Sequence, residues 1–321
     1  MPINDVRNTV LAIANKNNYG YISPADFNLY AKQAQMDMFE DYFYQYNNQL
    51  VKENLRQSGS GYADITKGLV EVIDSFSATQ TLINNGVNLF SLPSNYYLIN
   101  KINYYPTVIL SGTTTAAGTN TLTDATATFT SNTAILGQLV SSVTSGSLTA
   151  GQSAYVIAIV SNTELTLSDN IFGVAGTVGN TYTIVSSVGT VEVERVNQNK
   201  IFYLNSSPLT SPSTGYPAYV LGSANNTSLG NTVNVYPVTL TTPGTIFAQY
   251  VRYPNPPRWT YAQLLGGEPL FDATQADYQD FELPLSDEPI LIAKICQYIG
   301  VEIREQAVYD FGKAAIAEDN Q

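Results

Sequence analysis

The sequence predicts an α+β fold, in which helices from both ends of the chain form a bundle and the centre is β-structure. Apolar residues recur at helical spacing before residue 77 and again after Pro284. Between residues 87 and 251 they largely alternate with polar residues, as in half-buried strands. A third observation is that residues 110–187 are rich in Thr, Ser, Gly and Val and almost free of charge. This segment is predicted to be an inserted small β-barrel or sandwich.

Three helices are predicted in the N-terminal part. Ser23 is a suitable N-cap for the second, Pro24 suits its first turn, and Asp26 resembles the third residue of a capping box. Ser58–Gly61 reads Ser-Gly-Ser-Gly, which is typical of a flexible break. The predicted helices are Asn4–Asn15, Pro24–Tyr46 and Tyr62–Phe76.

In the C-terminal segment Leu285–Asn320, apolar residues recur at helical spacing. Glu288 favours the positive end of a helix, and Pro289 suits its first turn. Gly300 and Gly312 are expected to bend or break the pattern, so two helices or one kinked helix are predicted. Such an arm either closes a bundle within its own chain or reaches a neighbouring chain. Its apolar positions are Ile292, Ile295, Ile299, Ile303, Val308 and Phe311.

The predicted strands are short and bounded by Pro and turn residues. After them, Pro254–Trp259 is typical of a stiff, extended linker, and Gln263–Leu283 is expected to be loop-like. Outside the insertion, strands are predicted at Tyr96–Ile99, Ile102–Tyr105, Thr190–Val196, Ile201–Leu204, Ala218–Leu221, Asn231–Tyr236 and Thr245–Val251. Inside it, they are predicted at Thr121–Thr123, Leu139–Val143, Ala154–Val160, Leu165–Leu167 and Tyr182–Val185.

These elements predict four segments. Residues 1–86 are the N-terminal helical part of the bundle, and residues 259–321 are the linker and the C-terminal helices or arm. Residues 87–109 and 188–258 form a β-domain. The module at 110–187 is predicted to be an insertion, because the strands on either side of it form one domain without it. Exposed loop tips tolerate such insertions.

The charge balance argues against tight binding to nucleic acid. The net charge is −12 with only 14 Lys and Arg, and they do not cluster. An acidic wall past which DNA slides remains compatible with this charge. Low charge content (12%) and 23 Tyr favour polar protein–protein contacts. No secretory signal or membrane-spanning stretch is expected.

No catalytic, cofactor-binding or metal-binding residue is predicted. The chain has no His, which excludes Ser-His-Asp and Cys-His pairs, and it has no phosphate-binding glycine motif. Asp277 with Asp280 or Glu282 would suit a glycosidase or a hard cation, but a solvated acidic loop is favoured. Cys296, the only cysteine, is expected to be a small buried or interface residue rather than a reactive thiol.

Several stretches of the sequence, taken in order, carry a family resemblance. They are Ser23–Asn28 (SPADFN), Phe90–Tyr97 (FSLPSNYY), Tyr216–Tyr219 (YPAY), Asn234–Pro237 (NVYP), Tyr253–Trp259 (YPNPPRW) and Asp280–Pro284 (DFELP). In these the chain resembles virion structural proteins of crAss-like bacteriophages, most of all the first ring protein below the portal. The inserted segment is similar to a β-module that recurs in phage structural proteins.

The resemblance implies a head–tail connector in the neck of a short-tailed virion, assembled in the host cytoplasm. It implies a ring of twelve copies, a C-terminal arm docked against the portal protein, and a lumen through which DNA passes without sequence-specific binding. Further tail ring, collar or fibre proteins would be partners. Candidate interface residues are Arg258, Trp259, Ile299, Ile303, Tyr309 and Phe311. For Trp259, packing of the linker on its own domain is the alternative.

Two other functions remain open at this point. The inserted β-module is the candidate binding site of a carbohydrate- or receptor-binding virion protein. Against this, its only tyrosines are Tyr155 and Tyr182, and it has no Trp to stack on a sugar. A virion-associated glycan hydrolase would use the carboxylates of Asp277, Asp280 and Glu282.

Overall fold

The computed structural model contains two compact units. One comprises Met1–Phe76 and Tyr253–Gln321, and the other comprises Ser77–Arg252. The predicted mixture of helices and sheets is confirmed, whereas the limits of the four predicted segments stay predictions. The predicted break at Ser58–Gly61 and the candidate residue Ile303 lie outside the described residues. The structure describes residues 1–14, 22–55, 65–131, 135–143, 151–172, 179–222, 231–264, 266–302 and 306–319.

Five of the six helices in the described residues belong to the first unit, and one belongs to the second. The second helix is 32 residues long and continues well beyond the predicted end at Tyr46. The first unit also contains a hairpin of two strands in the segment after the linker, where a loop is predicted. The helices are α1 (Ile3–Ala14), α2 (Pro24–Leu55), α3 (Ile65–Asp74), α4 (Gln198–Ser206), α5 (Glu288–Glu302) and α6 (Gln306–Asp319).

The start of α2 has the predicted cap. The backbone N–H of Asp26 donates to Ser23 Oγ at 3.2 Å, and Ser23 Oγ donates to a carboxylate oxygen of Asp26. This satisfies one of the amide groups that a helix start leaves without a partner. One face of α2 is then buried through Phe27, Ala31, Ala34, Met38, Phe39 and Tyr42.

Helix α5 lies inside the first unit, where it packs against α1, α2 and α6. Most of the apolar positions predicted for it are buried, as a helix surrounded by other helices requires. The buried side chains are Leu291, Ile292, Ala293, Ile295, Cys296 and Ile299.

The second unit contains an eight-stranded sheet that is nearly closed and barrel-like. Its first and last strands, β1 and β2, are consecutive in the chain and separated by Leu82 alone, so the sheet returns to its starting point. The strands, in sheet order, are β1 (Ser77–Thr81), β15 (Ile246–Arg252), β4 (Tyr96–Tyr104), β12 (Val191–Arg195), β13 (Ala218–Leu221), β14 (Thr232–Tyr236), β3 (Leu89–Ser91) and β2 (Ile83–Asn84).

A seven-stranded sheet is formed within residues 108–185 and has its own apolar core. Its end strands are also consecutive in the chain, with Thr114 and Thr115 between them. In sheet order the strands are β5 (Val108–Thr113), β11 (Thr181–Val185), β8 (Leu139–Ser142), β9 (Ser153–Ser161), β10 (Glu164–Leu167), β7 (Thr121–Thr123) and β6 (Ala116–Gly118). The hairpin of the first unit is β16 (Tyr261–Gln263) with β17 (Pro269–Phe271).

The two large sheets meet at a small apolar cluster. Leu139 and Val185 of the seven-stranded sheet pack with Phe247 of the eight-stranded sheet. The ring of Phe247 lies 4.8 Å from that of Tyr105. Gly244 allows close approach there: its φ is +79°, and a Cβ atom would stand 2.6 Å from an oxygen of Ser141.

The prediction of a strand at Ile201–Leu204 is wrong, because these residues lie in helix α4. The N–H groups of Lys200 and Ile201 both donate to the carbonyl of Asn197, at 2.9 and 3.3 Å. Ile201 points into the core, whereas Phe202 and the residue after it are exposed. A run of four apolar residues does not distinguish a strand from a helix, and Ile201 is the only fully buried residue of this helix.

No helix in the described part of the chain combines the length and the apolar character that crossing a membrane requires.

Candidate interface

The predicted linker is fixed to helix α2 of its own unit by a closed set of hydrogen bonds. The side chain of Gln35 donates to the carbonyl of Asn255 at 2.8 Å and accepts from the N–H of Glu282 at 3.1 Å. The N–H and the side-chain amide of Asn255 both donate to the Glu282 carboxylate, each at 2.9 Å. Because Gln35 is buried, loss of these partners would leave its amide unsatisfied and destabilise the folded protein. The bonds therefore fix the path of the linker.

Trp259 is held by two asparagines. Its backbone N–H donates to Asn28 Oδ1 at 2.8 Å, and Asn28 Nδ2 donates to its carbonyl at 3.1 Å. Its indole N–H donates to Asn4 Oδ1 at 3.0 Å. The side chain is only 2% exposed, so every polar group of this residue is satisfied within the unit.

Aromatic and cationic groups cover the Trp259 ring. The guanidinium of Arg7 lies 3.9 Å from the ring centroid, within the range of a cation–π contact. The rings of Tyr261 and Phe271 stack at 5.6 and 5.9 Å. In this structure Trp259 packs on its own domain, and a direct contact with a partner stays a prediction.

Arg258, next to it, is largely exposed. Its guanidinium forms an ion pair with Asp277 at 2.9 Å, and its backbone exchanges hydrogen bonds with Gln279. An exposed pair of this kind contributes about 0–1 kcal/mol. Arg258 is therefore accessible to a partner without loss of the fold.

The three carboxylates considered for hydrolysis all have structural partners. Asp277 pairs with Arg258, Glu282 holds Asn255, and Asp280 accepts from the N–H of Ile3 at 2.8 Å. The hydroxyl of Tyr278 also donates to Asp280 at 2.8 Å. Burial, together with this hydrogen bond and the charge of Asp280, raises the pKa of Tyr278 to about 12.

Helix α5 supplies the candidate residue Ile299, which is fully buried. Tyr298 beside it donates to a carboxylate oxygen of Asp37 and stacks on Tyr30 at 6.1 Å. Burial raises the pKa of the Cys296 thiol to about 12, which disfavours the reactive thiolate at neutral pH. This helix is an internal element of its unit.

The prediction of two C-terminal helices is confirmed, but neither glycine lies between them. Gly300 lies within α5, and Gly312 lies within α6. A Cβ atom on Gly300 would stand 2.5 Å from the backbone nitrogen of Tyr309, and one on Gly312 would stand 2.5 Å from the carbonyl oxygen of Ala293. The two glycines therefore permit close packing of α5 and α6. Candidate residue Tyr309 is half-buried in this contact.

Phe311, the last candidate in the described residues, borders an open apolar hollow of about 430 Å³. Its side chain is 47% exposed. We name this surface the C-terminal hollow. It is lined by Leu285, Ser286, Glu288, Pro289, Ile292 and Phe311.

A second open surface in the other unit has no counterpart among the predicted interface residues. It is a cavity of about 820 Å³ between α4 and the loop that follows it, and we name it the α4 pocket. Its walls include Tyr203, Leu209 and Tyr216, and Phe202 precedes Tyr203 on α4 without lining the pocket. These four side chains are 74% (Phe202) to 94% (Leu209) exposed. Glu194, Arg195 and Lys200 provide its charged groups.

The part of the chain that is described holds no cluster of metal ligands: no group of three or more Cys, Asp and Glu side chains is placed there to hold a metal ion. The C-terminal hollow and the α4 pocket both expose apolar and aromatic side chains with a few charges, a composition that is common in protein interfaces.

Comparison with known proteins adds no family to this picture. No family model matches the chain, and no curated protein matches it.

Proposed function

We propose that this chain is a structural head–tail connector of a short-tailed phage virion, a ring protein that joins the portal to the tail. In this proposal the helices of both chain ends form one bundle, and residues 110–187 form a module inserted in the β-domain. The packing of α5 against α1 and α2, and the separate core of the seven-stranded sheet, support these two assignments.

One observation carries the proposal: large apolar side chains are exposed in clusters, whereas the acidic groups that chemistry would need have structural partners. Tyr203, Leu209 and Tyr216, which line the α4 pocket together, form one such cluster. Contiguous apolar surface of this kind marks contact sites, and Tyr and Phe are enriched in protein interfaces. A protein that assembles needs such surfaces, and a monomeric enzyme does not.

The charge of the chain fits the proposed channel. A net charge of −12 would repel DNA phosphates from a lumen, so DNA would pass without sticking. The ring of twelve copies, and the docking of the C-terminal arm on the portal, come from the resemblance to crAss-like phage ring proteins. Their location would be the virion neck.

Native mass spectrometry and electron microscopy of the purified chain, alone and with the portal protein, test the proposal. We expect closed rings, and particles in which the ring sits on the portal. A chain that stays monomeric and ignores the portal would contradict it.

The proposed module has an outward surface of its own. Tyr155, Ile157 and Val160 of β9 are all exposed, although the strand is part of a sheet with a well-packed core. We assign this stripe to contact with collar or fibre proteins. Replacing the three residues with Ser, Thr and Thr should leave ring formation unchanged and abolish binding of that partner in a pull-down with purified virion proteins.

The alternative, a carbohydrate- or receptor-binding protein, is favoured by Tyr155 alone among the described residues of the module. The other tyrosine, Tyr182, is 1% exposed and donates its hydroxyl to Asp124 at 2.8 Å. Its ring is therefore inaccessible to a sugar. A glycan array probed with the intact protein and with Tyr155→Ala would decide: specific binding that is lost in the variant favours this alternative.

A further inference from the structure

The α4 pocket presents a protruding apolar group next to positive charge. Leu209 is 94% exposed, the highest value among the exposed large apolar residues. Arg195 and Lys200 line the same pocket as Leu209, and among the described residues neither forms an ion pair. Glu194 leaves a net positive charge of about one unit at this surface. In a chain with 26 acidic and 14 basic residues, such a site is uncommon.

The C-terminal hollow has the complementary properties. It is a concave apolar surface of about 430 Å³, and its walls include Leu285, Pro289 and Phe311. Its one charged lining residue is Glu288, for which no ion pair is found within the described residues. An exposed leucine beside cations and a hollow beside a carboxylate match in polarity and in the sign of their charges.

We propose that Leu209 of one copy inserts into the C-terminal hollow of a second copy, with Arg195 and Lys200 facing Glu288. This rests on the proposed function, because it assumes that identical copies assemble. The contact joins two different surfaces, and repetition of such a head-to-tail contact generates a ring when the rotation closes. The α4 pocket and the C-terminal hollow would therefore be two surfaces through which the proposed ring forms.

The area available fits this role. An aromatic side chain buries roughly 150–250 Å² in a contact, so the two exposed rings that line the pocket with Leu209, Tyr203 and Tyr216, could contribute about 300–500 Å². A standard interface buries about 800 Å² on each partner. The two rings thus provide about half of the required area, and the charges at the edge would orient the contact rather than supply most of its affinity.

Disulfide trapping between two differently labelled chains tests the geometry. The native Cys296 is buried with a raised thiol pKa, so it should not compete. A Leu209→Cys chain is mixed with a Phe311→Cys chain under mild oxidation, and the products are identified by non-reducing electrophoresis and mass spectrometry. We expect the mixed disulfide to form at least tenfold faster than with a control pair of Val188→Cys and Phe311→Cys. Equal rates for both pairs would overturn the proposal.

Charge reversal provides the second test. The double variant Arg195→Glu/Lys200→Glu should raise the concentration at half-assembly at least tenfold in analytical ultracentrifugation. Glu288→Lys in the same chain should restore at least half of the loss, because it reverses the sign of the partner surface. Absence of rescue would overturn the proposed pairing, provided that circular dichroism shows each variant to be folded.

The outcomes separate this inference from the proposed function. A wild-type chain that forms rings, together with Leu209→Asp rings of unchanged affinity, contradicts the contact and leaves the connector role intact. A wild-type chain that never assembles contradicts both. Val188→Asp is the matched control, since Val188 is also highly exposed in the second unit but lies outside the α4 pocket.

Discussion

The linker around Trp259 and the segment that begins with α4 both combine aromatic residues with prolines, yet their aromatic side chains have opposite environments. Trp259 is 2% exposed, whereas Tyr203 and Tyr216 are 78% and 85% exposed. The polar groups around Trp259 find partners on the same unit, in Asn28 and Asn4. An aromatic residue in the sequence does not by itself predict an interface; the partners that its surroundings supply decide whether it is core or contact surface.

The cationic side chains of the two regions also differ in their burial. Arg7 lies over the Trp259 ring and is itself buried, so it serves the stability of the first unit. Arg195 and Lys200 line an open pocket. Variants at the Trp259 site should therefore change the free energy of unfolding, and variants at the α4 pocket should change assembly.

The largest expected effect is at Trp259. Trp259→Ala removes a buried ring and its hydrogen bond to Asn4, and should destabilise the protein by about 3–5 kcal/mol. Chemical denaturation followed by circular dichroism measures this. Tyr216→Ala is the matched control and should change the free energy of unfolding by less than about 0.5 kcal/mol. Equal losses for the two variants would contradict the assignment of Trp259 to the core and of Tyr216 to the surface.

The second effect concerns a buried polar pair in the seven-stranded sheet. Burial alone would raise the pKa of Asp124, but hydrogen bonds from Thr126 and Tyr182 outweigh it and hold the pKa below its usual value. Tyr182→Phe removes one bond to this carboxylate and should cost about 1.5–3 kcal/mol at neutral pH.

The pH dependence of that loss has a defined sign. Since the folded pKa of Asp124 is lower than the unfolded one, its stabilising contribution is present above about pH 4 and is lost as the pH falls further. The difference in unfolding free energy between wild type and Tyr182→Phe should therefore shrink as acid is added. A difference that grows below pH 4 would refute this assignment.

The third effect tests close packing between α5 and α6. Gly312→Ala places a methyl group 2.5 Å from the carbonyl oxygen of Ala293. The overlap should lower the free energy of unfolding by about 1–3 kcal/mol. The control is Gly68→Ala in α3, where nothing lies within 4 Å of the added Cβ. That change should stabilise by roughly 0.5–1 kcal/mol through helix propensity. Thermal unfolding of the two variants should shift in opposite directions.

The smallest effect on stability is expected at the open surface. Phe202→Ser/Tyr203→Ser should change the free energy of unfolding by less than about 0.5 kcal/mol for each residue, because both side chains are exposed. It should nevertheless reduce assembly in light scattering. Stable variants that assemble normally would remove α4 from the list of contact surfaces.

Much of the fold follows from local patterns in the sequence. The cap at Ser23 and strands such as Ala218–Leu221 and Thr121–Thr123 are predicted with the observed bounds, because turn chemistry and alternation are local properties. The segment Ile201–Leu204 is wrongly predicted as a strand, since its four apolar residues alone do not fix a period. Strand β1 is missed because its sequence, Ser-Ala-Thr-Gln-Thr, carries little apolar signal and its pairing with β15 is long-range.

The candidate interface shows the same limit. Phe311 is predicted as a contact residue and borders an open hollow, whereas Trp259 and Ile299 are predicted and are buried within their unit. Hydrogen-bond partners 231 and 255 residues away along the chain enclose Trp259, and no local pattern reveals them. The α4 pocket is missed because exposure depends on tertiary structure. Leu209 has no distinguishing pattern around it in the sequence, and the stretch Tyr216–Tyr219 carries part of the family resemblance without indicating that Tyr216 is exposed.

Native mass spectrometry of the untagged wild-type chain, over a range of micromolar concentrations and at low and high salt, would show whether the chain assembles into a ring. We expect one closed oligomer, with twelve copies by the family resemblance, that also binds the portal protein. A monomer at every concentration, with or without the portal, would contradict this expectation.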